Sequence, residues 1–262
     1  MNYGNYKERV KIPEESPAYP KQSNFVLTMI NTMVEEAFES GNNQIILDTN
    51  INGEFPLDNI NKLAAPLIES WAATVFGNIS KISGNKFNLI NIEVGANRTD
   101  LADVVLQFKR TNAEQLNPLY TTGSVDIKST ADTIKNSGKG PNITSFAKIR
   151  TAYLDDPDFI FVILSIKYHP YSETNPTTGM AKGIIDLHDF TSYDFKYLSE
   201  LDFSINPALG TGQIQIKDIH YVEVTPRTTW ELIQLLDKKY VNSSKRTFED
   251  WVSEAMKRKW IK

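Results

Sequence analysis

The sequence contains no cysteine. That absence excludes disulfides, thiolate zinc sites, iron–sulfur clusters and cysteine nucleophiles. Histidine is nearly as scarce. His169, His188 and His220 are too few and too scattered along the chain for an all-histidine metal cage. Long apolar runs are missing too: the longest, Phe159 to Ile166 (FIFVILSI), has eight residues. A membrane-spanning helix needs about 20. The stretch MNYGNYKERVKIPEE lacks the apolar core of a signal peptide, so a cytoplasmic protein without a membrane partner is expected. Familiar phosphate-binding and nucleophile loops are absent as well. Lys139 in SGKGPN has no glycine five residues before Gly138 and no Ser or Thr after it. Gly210-Thr211-Gly212 lacks the third glycine of a dinucleotide fingerprint, and no G-x-S-x-G occurs.

What is present suits a folded domain. Of 262 residues, 40% are hydrophobic and 11% aromatic, enough to fill a core, and 23% are charged. The formal net charge of −4 hides an uneven distribution. Lys128 to Arg150 holds five bases against one acid, and Lys238 to Lys262 holds eight against three. Such local excess suits a polyanionic partner or, equally, ordinary solvated faces.

Apolar periodicity predicts helices over 23–39, capped by Ser23 and ended by Gly41, and over 57–80, capped by Asp58 and kinked or broken at Pro66. An irregular arm, about 1–22, precedes them. Alternation predicts strands over 88–94, 102–108 and 119–128, then a short helix over 144–154 and a strand over 159–168. A Pro/Thr/Gly loop over 170–181 leads to strands near 183–187, 213–217 and 219–224. Helices near 228–240 and 247–258 follow, the last capped by Thr247. The expected fold class is α/β, a single domain over 1–262 with a mixed central sheet flanked by helices.

The most informative residues are Val125-Asp126-Ile127-Lys128, preceded by Ala102-Asp103-Val104-Val105-Leu106. Two residues apart on a strand, Asp126 and Lys128 project from one face, while Val125 and Ile127 take the other. If the two strands pair, Asp103 and Asp126 meet at one edge beside Lys128. Close carboxylates repel and call for a cation. Mg²⁺ prefers oxygen ligands and often uses only one or two carboxylates. Such a cation polarises a phosphodiester and acidifies its bound water, and a nearby ammonium offsets transition-state charge. An exposed strand end carrying an Asp/Lys ion pair is the other reading of the same residues.

The pattern resembles the PD-(D/E)xK nuclease superfamily, with Ala102 where proline often stands. The run ADVVL, then VDIKST, then GPNITSFAKI is similar to the core of HincII-type restriction endonucleases. FSINPALGTGQIQIKD is similar to a segment of the blunt cutter SwaI. The likeness covers roughly 100–218 in patches. It implies a restriction-endonuclease-like core, a type II site-specific deoxyribonuclease, Mg²⁺ as cofactor and double-stranded DNA as substrate. It further implies blunt cleavage, a homodimer on a palindromic site, and pairing with a DNA methyltransferase. Carried over, Asp103 and Asp126 are metal ligands and Lys128 is the catalytic lysine, with Asp100 the competing first acid. Glu69 on the second helix is a candidate further metal ligand, or a solvent-facing helix glutamate.

After Lys128, the polar segment offers Lys135, Lys139 and Lys148 to phosphates and Asn136, Asn142, Thr144 and Ser145 as hydrogen-bonding groups. Asn206, Gln213 and Gln215 are candidate base readers, since carboxamides suit adenine. Two other functions stay open: a repair or recombination nuclease with the same core, and a non-catalytic DNA-binding protein.

Overall fold

A computed structural model describes the chain except residues 55, 56, 58, 96–100, 111–118, 133–140, 207–209, 211 and 245. The expected caps and ligands Asp58, Asp100, Lys135, Asn136 and Lys139 lie outside the described residues.

Two long helices come first: α1 (Tyr19–Glu39) and α2 (Asn61–Ser80). α1 begins at Tyr19 rather than Ser23, because Pro20 in the first turn has no N–H to satisfy and its φ already suits a helix. Ser23 is therefore no cap. It is buried and donates to the Asp194 carboxylate at 2.7 Å. The expected arm is also more ordered than its prolines suggest. Gly4–Arg9 forms a 3₁₀ helix, and Tyr3 donates its phenol hydrogen to Asp237 at 2.9 Å. α2 runs through Pro66 without a break.

The main sheet has six strands in the order β1-β7-β6-β4-β3-β2. These are β1 (Gln44–Asn52), β2 (Leu89–Val94), β3 (Val104–Lys109), β4 (Tyr120–Ala131), β6 (Ile160–Thr174) and β7 (Met180–Asp194). Only β4 and β6 are parallel; the other pairs are antiparallel. A parallel pair needs a long crossover, which residues 132–159 supply. They contain β5 (Asn142–Ser145) and α3 (Phe146–Asp155), started by the Ser145 hydroxyl accepting from the Lys148 N–H. The expected loop over 170–181 is mostly strand, for only residues 175–179 separate β6 from β7.

β5 belongs to a second, three-stranded antiparallel sheet, β5-β9-β8, with β8 (Phe203–Asn206) and β9 (Gln213–Ile216). The strand expected over 219–224 is absent; a single bridge joins Val224 to Leu198. α4 (Thr229–Asn242) and α5 (Phe248–Lys257) follow, each opened by a capping box, Thr228 with Glu231 and Thr247 with Asp250.

The sheet is covered on both faces. α1 and α2 pack Val26, Ile30, Met33, Ile68, Ala72 and Phe76 against Leu106, Val125, Ile127 and Leu164. On the opposite face α3, α4, α5 and the small sheet pack against Phe161, Ile163 and Tyr193. The mixed sheet flanked by helices is the architecture expected from the sequence.

Candidate active site

The register of β3 on β4 pairs Val104 with Val125, so the next rung sets Asp103 opposite Asp126. Asp103 N–H donates to the Val125 carbonyl at 3.0 Å, and its carboxylate accepts the Ile127 N–H at 2.6 Å. Asp103 thus clamps the β4 backbone between Asp126 and Lys128. Val125 and Ile127 face the α1/α2 core, which turns Asp126 and Lys128 to the other face. There the Lys128 ammonium donates to Asp126 Oδ1 at 2.8 Å and to the Ile127 carbonyl at 3.3 Å.

Asp126 is 5% exposed, and its second oxygen, Oδ2, is buried without a hydrogen-bond partner. Burial pushes this carboxyl up to about 7; Lys128 pulls it down, and Asp103 and Glu69 add to the rise. Glu69, on α2, is near enough for its charge to act on the same group. Its carboxyl is raised by burial and by Asp103, with Lys128 opposing. Glu69 is half-buried and within the field of the cluster.

This donor set fits a hard divalent cation. A buried carboxylate oxygen with no partner carries a desolvation cost that a cation would offset. Among the described residues no three His, Asp or Glu side chains already stand as a metal-holding cluster. Mg²⁺ tolerates that, since it is commonly bound by one or two carboxylates with waters and substrate phosphates.

A family model described as type II restriction endonuclease HpaI matches residues 6–259. The type II restriction enzyme HpaI of Haemophilus parainfluenzae is 50% identical over 252 residues, covering 96% of each chain. The chain belongs to the type II restriction endonuclease HpaI family. The restriction-endonuclease reading of the sequence is borne out; the matched family is HpaI, where the motifs had suggested HincII-type and SwaI relatives. The solved structure of NlaIV restriction endonuclease is similar with a TM-score of 0.47 and 10% identity, over 88% of this chain and 85% of that one.

The remaining candidate residues of this HpaI-family protein fall in two groups. Asn142, Ser145, Asn206, Gln213 and Gln215 converge on the small sheet. Asn142 pairs with Gln215 and Gln215 with Ser204; Ser145 pairs with Gln213 and Gln213 with Asn206. Thr144, in contrast, is largely buried. Lys148 stands half-buried in the first turn of α3.

The histidines had no expected role, yet each finds a carboxylate. His169 Nδ1 lies 3.0 Å from both Asp132 oxygens, and His188 Nε2 lies 3.7 Å from one of them. His220 Nε2 meets Asp189 at 2.9 Å, and its Nδ1 is 3.4 Å from Ser165 Oγ. Ser165 is the β6 partner of Lys128. Sequence spacing gave no signal for these contacts, which join segments far apart in the chain.

Proposed function

We propose that this HpaI-family protein is a Mg²⁺-dependent site-specific deoxyribonuclease. Its substrate is double-stranded DNA carrying a short palindromic sequence, which it cuts to leave blunt ends. The observation that carries this reading is the convergence of Asp103, Asp126 and Lys128 where the start of β3 meets β4, with Asp126 Oδ2 buried and unpartnered.

Asp103 and Asp126 would hold the cation, with Glu69 as a further ligand. A divalent cation bound there supplies charge neutralisation at the scissile phosphate and a more acidic water. Lys128 orients the attacking water and offsets the negative charge that grows on the phosphoryl oxygens. The Asp126 carboxylate holds the Lys128 ammonium in place, and Asp103 fixes the backbone between them.

Lys135, Asn136, Lys139, Asn142, Thr144, Ser145, Lys148, Asn206, Gln213 and Gln215 are the DNA-contacting set proposed from the sequence. Within that set Thr144 is largely buried, and the Ser145 hydroxyl also caps α3. The whole chain acts as one domain. One D-x-K site cuts one strand, so a two-fold homodimer matches a palindromic duplex. On the first two helices Met33 and Trp71 are buried in the core, while Leu63 stays exposed. The protein works in the cytoplasm beside a DNA methyltransferase that protects the host's own sites.

Digestion of phage DNA with Mg²⁺, and in parallel with EDTA, tests this reading. Discrete fragments with blunt termini are expected only with Mg²⁺. Overhanging termini would remove the blunt-end claim. Structure-dependent nicking or intact DNA would remove site-specific cleavage.

A further inference from the structure

The small sheet carries a polar face, exposed at Asn142 and Ser204 and half-buried at Ser145, Asn206, Gln213 and Gln215. Along β8 and β9 the apolar residues Phe203, Ile205, Ile214 and Ile216 turn inward, onto the core that also holds Ile163 and Tyr193. Strand alternation then sends Ser204, Asn206, Gln213 and Gln215 outward. Strand register arranges this outer face in two cross-strand rows. One is Asn142–Gln215–Ser204, and the other is Ser145–Gln213–Asn206. Every member is a carboxamide or a hydroxyl. Exposed faces of short strands usually carry charged residues, so an all-neutral, donor-and-acceptor face is a chemical clue.

One pair is set in a defined orientation. Gln215 Nε2 donates to Asn142 Oδ1 at 2.9 Å. That bond uses one of the two Gln215 amide hydrogens. It leaves Oε1 as acceptor and the second N–H as donor, side by side on one carboxamide. Adenine presents the complement in the major groove: an N6 amino donor next to an N7 acceptor. The Asn142 contact also lowers the rotamer freedom that Gln215 would lose on binding.

The spacing agrees. Residues two apart on a strand are about 6.7 Å apart, and strands are about 4.8 Å apart. The two rows are therefore separated by close to two base-pair steps of about 3.4 Å each. A major groove about 12 Å wide admits a two-stranded ribbon such as β8–β9. Lys148, in the first turn after β5, and the exposed Lys217, directly after β9, supply cations beside this face for flanking phosphates.

We propose that Gln215, held by Asn142, reads an adenine of the target site through its major-groove edge, making the outer face of the β5-β9-β8 sheet a specificity-determining surface. This rests on the nuclease reading above and names the chemistry of its substrate recognition.

The test uses the full-length protein and duplexes carrying its cleavage site. Each adenine in turn is replaced by 7-deazaadenine, which lacks the N7 acceptor. Cleavage kcat/KM and Ca²⁺-supported binding are both measured, for wild type, Gln215→Ala and Asn142→Ala. For wild type, one adenine per half-site should show a loss of about 2–12-fold, the range of one hydrogen bond of about 0.5–1.5 kcal/mol, since the N6 contact persists. Gln215→Ala should lose more on the unmodified site, about 5–150-fold for a whole bidentate contact, and then be indifferent to the deaza substitution at that position. Asn142→Ala should lose part of the same factor. A site without adenine, a wild type insensitive at every adenine, or a Gln215→Ala variant as sensitive as wild type would each overturn the proposal. In all three cases wild-type cleavage of the natural site would persist, leaving the nuclease reading intact.

Discussion

Replacing Asp126 by asparagine should kill cleavage and, without metal, stabilise the protein at alkaline pH. The Asp126 carboxyl holds its proton up to about 7 in the folded chain, against an ordinary 3.8. Between those values the folded state binds a proton that the unfolded state has released, so stability falls as pH rises. Below the ordinary value both states are protonated and the penalty vanishes; above about 7 it is complete. At 1.36 kcal/mol per pH unit the full penalty is about 4 kcal/mol. Asparagine has no proton to lose and escapes it, although its amide makes a poorer partner for the Lys128 ammonium, which we set at about 1 kcal/mol. In EDTA at pH 8, Asp126→Asn should therefore be more stable than wild type by roughly 2–3 kcal/mol in urea unfolding followed by tryptophan fluorescence. At pH 5.5 the gain should shrink to about half or less. Divalent cation should close the gap by stabilising wild type alone, by about 2.7 kcal/mol at one hundred times its dissociation constant. A variant no more stable than wild type at pH 8 in EDTA would refute the claim that burial strains this carboxylate.

Three further outcomes are expected. Arg150 and Asp237 are both fully buried and joined at 2.7 Å and 3.0 Å. Arg150→Ala should cost about 3–5 kcal/mol by urea unfolding, because it leaves Asp237 with Tyr3 as its remaining partner; a cost under about 1 kcal/mol would contradict this. A Cβ on Gly123 would meet Val26 Cγ1 at 2.5 Å, so Gly123→Ala should press α1 off β4 and lower stability by about 1–3 kcal/mol; an unchanged urea midpoint would show that the strand and helix yield freely. Sedimentation should find a dimer on cognate DNA, and a monomer both free and bound would defeat the homodimer.

The elements legible in the sequence were those with a local pattern. β3 alternates in burial; β4 is buried on both faces from Gly123 to Ile127, yet the chemistry of Val125/Ile127 against Asp126/Lys128 assigns them to opposite faces before any pairing is known. Thr247 announced the last helix, and the structure adds Asp250 to its capping box. β1 was missed because QIILDTNIN is an edge strand with few buried residues, whose pairing with β7 is visible only in three dimensions. β8 is four residues long and reads as loop until β9 lies beside it. In α2 the buried stripe contains Ile68, Ala72 and Phe76 and leaves Leu63 outside. That rotation brings Glu69 toward Asp103. The active-site pair was readable because its geometry is local to two neighbouring strands. The contacts of His169, His188 and His220 were not, since each joins segments far apart in the chain.

Asp103, Asp126 and Lys128 are proposed to form one metal-dependent cleavage site. The decisive measurement is single-turnover cleavage of cognate duplex in Mg²⁺, with DNA binding in Ca²⁺ as the control. Asp103→Asn, Asp126→Asn and Lys128→Ala should each lose at least about a thousandfold in rate, roughly 4 kcal/mol of transition-state stabilisation. Their Ca²⁺-supported binding should be retained, and Asp100→Asn should keep much of its cleavage. Near-normal cleavage by Lys128→Ala, or an inactive Asp100→Asn beside an active Asp103→Asn, would contradict the account.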